Sequence, residues 1–207
     1  MKTSVILSII GMLIGFISCN DLSSSDSPIP HRSYSDSLKQ WRRTWDKELK
    51  TNPKSPIPKE HIESFTGLQY FSPDSQWIQK AFIKPPNHTE IIEISTTTDR
   101  IVQMIPFGEI RFTISEQNYV LTTFQDLGNP KGKLFIPFTD LTNGTDTYGG
   151  GRYLDIEIPQ SDSFLLDFNR AYNPYCVYNH SFSCPIPPES NFINVRITAG
   201  EKNIILK

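Results

Sequence analysis

The sequence predicts a mainly β fold: an antiparallel β-barrel or β-sandwich of about ten strands with one N-terminal α-helix. Three observations carry that expectation. From Gln76 onward apolar and polar residues alternate with period two, as where Ile110, Phe112 and Ile114 interleave with Arg111 and Thr113. Such alternation marks strands with one buried and one wet face, and hence antiparallel pairing. The linkers are short, as at Ser115 to Asn118, and leave no room for the crossover helices that parallel strands require. One stretch alone, residues 33–50, spaces its apolar residues by three and four. So many strands must avoid long open edges, which favours closure into a barrel or division into two packed sheets.

Residues 1–18 read as an export signal, with Lys2 as the charged start and an apolar run from Val5 to Ile17 too short to span a bilayer. Phe16-Ile17-Ser18-Cys19 resembles a bacterial lipobox, so Cys19 is expected to become a lipidated N-terminus. Several acyl chains on one residue suffice for stable anchoring. The expected location is therefore the bacterial cell envelope, on the periplasmic side or at the cell surface. Residues 19–32 comprise the lipidated Cys and a Ser-, Asp- and Pro-rich tether. Its reach is roughly 40 Å when extended. Residues 33–207 are expected to form a single domain.

The helix starts at Ser33, with Asp36 completing a capping-box-like pair. Leu38, Trp41, Trp45 and Leu49 form its apolar stripe, while Lys39, Arg42, Arg43, Lys47 and Lys50 read as a solvated face. Asn52-Pro53 stops it. A second helical turn is expected from Pro58 to Glu63. Strands are expected at 76–84, 89–96, 100–105, 107–115, 118–126, 133–138, 152–158, 163–168, 191–199 and 203–207.

Net charge is −2 with 20 basic and 22 acidic residues, so no basic excess exists to neutralise phosphates and no nucleic-acid partner is expected. The densest concentration of chemistry lies between Asp167 and Glu201, where Asn, Tyr, Cys and Pro cluster between apolar runs. Cys176 and Cys184 bracket a turn there, and an exported protein would hold them as a disulfide. A metal site of Cys176, His180 and Cys184 is the sharper alternative, but it lacks paired-cysteine spacing and an evident fourth ligand. Two free thiols are the third. Upstream, Gly149-Gly150-Gly151-Arg152 could present backbone N–H groups and a guanidinium fork to an anion. The bland reading there is a hairpin with Arg152 paired to Asp155 or Asp167.

These residues also carry a resemblance. Ile136-Pro137-Phe138, Thr147 to Leu154, Asp167-Phe168-Asn169, Ala171 to Pro174, Cys176, Tyr178, Cys184-Pro185, Pro187-Pro188, Asn191 and Ala199-Gly200-Glu201 resemble the signature of the family called domain of unknown function 1684. The resemblance covers most of the chain after the leader and implies positions rather than a chemistry. His180 falls outside the pattern.

The expected function is that of a binding or accessory module. Tyr148, Gly150, Arg152, Asn169, Asn173 and Tyr178 would line a pocket for a small, anionic ligand, with no cofactor and a monomeric chain. The alternative is a hydrolase using Asp155, Asp167 or Glu201 with Arg152, or the Cys/His metal site. A purely structural envelope protein is the remaining option.

Overall fold

The computed structural model describes residues 33–85, 90–129 and 131–204. The expected signal, Cys19 and tether, and the last three residues of the strand expected at 203–207, lie outside them. Helix α1 spans Tyr34–Thr51 and begins as its cap predicts: Ser33 Oγ accepts from Asp36 N at 3.2 Å and donates to Asp36 Oδ2 at 2.8 Å. A single turn, α2, follows at Lys59–Ile62. Among the described residues no helix is long and apolar enough to cross a membrane.

The strands are β1 (Ile78–Lys84), β2 (Ile92–Ser95), β3 (Ile101–Ile114), β4 (Gln117–Asp126), β5 (Leu134–Asp140), β6 (Arg152–Ile156), β7 (Ser163–Asp167) and β8 (Phe192–Ile193). They form one curled half-barrel in the order β6-β5-β4-β3-β1-β7, with β2 beside β3 and β8 beside β5. All pairings are antiparallel except the two-residue β5–β8 contact. The segments expected as strands 100–105 and 107–115 are one long strand, bent where the register shifts between Pro106 and Gly108. β1 and β2 occupy the same edge of that strand in succession, opposite β4.

The concave face holds the core. Ala81, Ile110, Phe112, Leu121, Ile136, Phe138, Leu154 and Leu166 point inward from six strands. Phe168, Ile193, Ile197 and Ala199 fill the interior in place of a second sheet. The stretch 191–199 keeps its expected alternation, with Ile193 and Ile197 buried, but only Phe192–Ile193 is strand. Its remaining backbone groups pair elsewhere, as in Leu141 N–H to Val195 O at 3.2 Å.

Arg42 departs from the expected pattern. It is buried rather than solvated and donates to Phe71 O at 2.8 Å and Asn169 O at 3.1 Å, with its guanidinium over the Tyr70 ring. The helix therefore docks through Leu38, Arg42 and Leu49. Trp41 and Trp45 lie half-buried to one side of that line.

Candidate functional site

Strand β6 determines what faces inward and what faces outward. Its alternation sends Arg152 and Leu154 into the half-barrel and Tyr153 and Asp155 to the other side. Both sides are covered near Arg152, so Arg152, Tyr153 and Leu154 are all buried.

Arg152 is fully buried and is paired with Asp140, not with Asp155 or Asp167. Its Nη2 lies 2.7 Å from Asp140 Oδ2 and donates to Ile197 O at 3.0 Å, while Nη1 donates to Ala199 O. Asp140 in turn accepts from Thr142 N at 2.7 Å. The fork thus terminates carbonyls of the irregular 197–199 segment, which no strand partner satisfies. This is a correction to the anion-fork expectation: the guanidinium is already neutralised and out of solvent.

The expected asparagines share that fate. Asn169 clamps residue 74 as a strand partner would, accepting from Asp74 N at 3.0 Å and donating to Asp74 O at 2.8 Å. Asn191 bonds Thr122 N and O at 2.8 and 2.9 Å and also reaches Pro137 O at 2.7 Å, bridging β4 and β5. Asn173 donates its backbone N–H to Glu201 Oε2 at 3.0 Å and its amide to Glu201 Oε1 at 2.8 Å. Tyr178 OH completes the shell on Glu201. Burial pushes the Glu201 carboxyl up to about 7, opposed by these donors and by Arg152. Asn169, Asn173, Tyr178 and Glu201 are therefore interior groups that replace backbone pairing, not pocket walls.

Asp167 caps the turn at 168–170, accepting from Asn169 N at 3.0 Å, and receives Tyr34 OH at 2.8 Å. That contact ties α1 to β7, and burial and the carboxylate together push the Tyr34 phenol up. Gly150 is exposed, and any Cβ there would meet Tyr148 Cε1 at 2.5 Å, so its bare backbone lets that ring fold over it. Tyr148 packs beside Cys176 and Cys184 rather than around an anion.

Cys176 and Cys184 stand together as expected, but as free thiols. Cys176 N–H donates to Cys184 Sγ at 3.2 Å. His180 is exposed, and among the described residues no three His, Cys, Asp or Glu side chains gather as a metal site. Among the described residues the three-ligand metal reading therefore finds no assembled geometry.

A cleft of about 770 Å³ does exist, and it lies elsewhere. Its floor is the outward face of β5 and β6, with Phe135, Tyr153 and Asp155. Trp41, Trp45 and Glu48 of α1 form one wall, and Tyr172, Tyr175, Phe182 and Cys184 of the Asn/Tyr/Pro-rich block form the other. Tyr153 and Tyr172 are locked edge to face and exchange backbone hydrogen bonds at 2.9 and 3.0 Å, which also pairs the outer edge of β6. Tyr172 OH donates to Asp155 Oδ2 at 2.9 Å. Desolvation pushes the Asp155 carboxyl up, with the Tyr172 hydrogen bond and Lys133 opposing, but the residue is exposed, so the push is modest. The cations at the rim are engaged: Arg170 lies over Trp41 and 3.5 Å from Asp167, and Lys133 is 3.4 Å from Glu157.

Of the predicted site residues among the described ones, only Asp155 and Cys184 line this cleft. The aromatics that form it were legible as an AYNPY run and as a Tyr153 opposite in phase to Leu154. Their convergence with α1 was not, because it depends on how the helix docks.

A family model described as "Protein of unknown function (DUF1684)" matches residues 63–202. The solution NMR structure of an uncharacterised protein from Haloarcula marismortui is similar at 35% identity and a TM-score of 0.65, covering 80% of this chain and 92% of that one. No curated protein matches the chain.

Proposed function

Starting from the premise that the chain belongs to the DUF1684 family of unknown function, we propose that it is a lipid-anchored envelope protein that binds a small ring-bearing ligand in the aromatic cleft. The cleft carries the proposal: a concave volume of about 770 Å³, aromatic on three sides with a few convergent polar groups, is what small-ligand sites look like. Indole and phenol rings from α1, β6 and the 172–182 block offer stacking surfaces, and Asp155 with Tyr172 offers a directional hydrogen-bonding end. Three carboxylates, Glu48, Asp126 and Asp155, face two cations that already have partners, so a neutral or cationic ligand suits the site better than an anion. The lipobox at Cys19 supports membrane attachment, and the formal charge supports a non-nucleic-acid partner.

A second reading has one observation in its favour. Asp155 lines the cleft with its carboxyl pushed upward by desolvation, the direction a general acid needs, on a residue that stays exposed to the cleft. A hydrolase acting on a ring-bearing substrate would use it. The two readings separate in one experiment: titrate neutral saccharides and aromatic amines against the full chain and against Asp155→Asn. Binding without turnover, weakened by the substitution, supports the binding module. Turnover lost in Asp155→Asn, with affinity retained, would replace it by the enzyme.

A further inference from the structure

We infer that Cys176 and Cys184 form a redox-active dithiol that exchanges with low-mass disulfides entering the cleft, rather than a static staple. The placement carries this. Both cysteines are buried, but Cys184 borders the cleft, whereas Cys176 sits on the short turn Tyr175–Val177 set by Pro174 and does not. Both sulfurs belong to one cluster with Tyr148, Tyr153, Tyr172, Tyr175 and Phe182, and neither is bridged. The groups around them are donors: Cys176 N–H to Cys184 Sγ at 3.2 Å, with the hydroxyls of Thr97 and Tyr148 beside Cys176. Tyr153 and Tyr175 are the other titratable neighbours, both with phenols pushed up by burial.

The hydrogen bond from Cys184 pulls the Cys176 thiol down to about 6, helped by Thr97 and Tyr148, while Cys184 is pushed up by the same contact. The pair therefore loses its first proton readily and shares the second between two sulfurs. The charge rests mainly on Cys176; transfer of the shared proton to Cys176 gives the smaller population of Cys184 thiolate, which the Cys176 N–H holds at the cleft and which is the form that reacts. Donors that stabilise a thiolate stabilise the reduced pair and make its disulfide easier to reduce.

The exchange balances in two steps. Cys184 Sγ attacks one sulfur of a small disulfide, forming a mixed disulfide and expelling a thiolate. Cys176 then gives up its proton and attacks the Cys184 sulfur, closing the Cys176–Cys184 bond and expelling the second thiolate. The protein loses two electrons and two protons, and the small disulfide becomes two thiols.

The test uses the full folded chain equilibrated with mixtures of reduced and oxidised glutathione, then acid-quenched and weighed by mass spectrometry. We expect a reversible transition between the dithiol and a form lighter by two hydrogens. In Cys176→Ser, Cys184 should accumulate a glutathione adduct, whereas Cys184→Ser should leave Cys176 largely unmodified. Tyr148→Phe should slow alkylation of the wild-type pair at pH 7 several-fold. A pair that never oxidises overturns the inference. So does a disulfide that glutathione reduces only after unfolding, or an adduct on Cys176 in preference to Cys184.

Discussion

Arg152 shows how one residue can look like a ligand-binding group and be a structural one. Its guanidinium satisfies Asp140 and carbonyls of residues 197–199 inside the half-barrel. Removing one partner of such a pair leaves the other buried and uncompensated. Arg152→Ala should therefore lower stability by about 3–5 kcal/mol in urea denaturation, with no selective loss of cleft binding in the fraction that folds. Glu201 makes a second claim at this scale. Its folded pKa of about 7 lies above the ordinary glutamate value of 4.5, so the folded state holds its proton more tightly than the unfolded chain. That stabilisation is complete below the unfolded pKa and is lost as pH rises through the folded one. The wild type should thus lose roughly 3 kcal/mol between pH 4.5 and pH 7 that Glu201→Gln does not, read as the difference between their urea curves. Sequence reasoning found Arg152, Asn169, Asn173 and Glu201 by type and clustering. It could not see that each faces inward, because burial of a polar group depends on partners far along the chain.

At the scale of elements, local rules succeeded wherever they were sufficient. Ser33 and Asp36 set the start of α1, and alternation set the faces of β3 and β4. They failed where tertiary partners replace regular pairing. The 191–199 segment alternates like a strand, but Arg152 and Asp140 take hydrogen bonds that a neighbouring strand would have made. Arg42 was read as solvated from its charge, yet it lies between Leu38 and Leu49 on the buried line of the helix. Arg42→Ala should cost roughly 2 kcal/mol, since its hydrogen bonds reach the carbonyls of Phe71 and Asn169. Hydrogen exchange across residues 34–51 should rise with it. The glycine run also resolves at this scale. Gly151 has φ +96°, and a Cβ would meet Phe138 O and Pro187 Cγ at 2.7 Å each. Gly144, at φ +78°, has nothing within 4 Å. Gly151→Ala should destabilise by roughly 1–3 kcal/mol or more, and Gly144→Ala by only about 1 kcal/mol, a contrast that thermal unfolding can rank.

The described domain is a half-barrel whose interior is closed by its own 192–199 segment and whose outer face, with α1, makes an aromatic cleft. The residues that resemble the family signature mostly build the first of these, and a few of them border the second. That division explains why the mainly β class was legible from the chain while the site was not: period and turn chemistry are local, whereas the cleft needs β6, α1 and the 172–185 block in their final places. The three tryptophans report on the two regions separately. Trp41 and Trp45 line the cleft, and Trp77 lies in the core. The most direct test is an NMR titration that follows the three indole N–H signals while ring-bearing saccharides and aromatic amines are added to the full chain. The account predicts saturable shifts of Trp41 and Trp45 with Trp77 unmoved, weakened in Tyr172→Phe. Binding that leaves both cleft indoles unmoved while an anion shifts groups around Gly150 and Arg152 would contradict it.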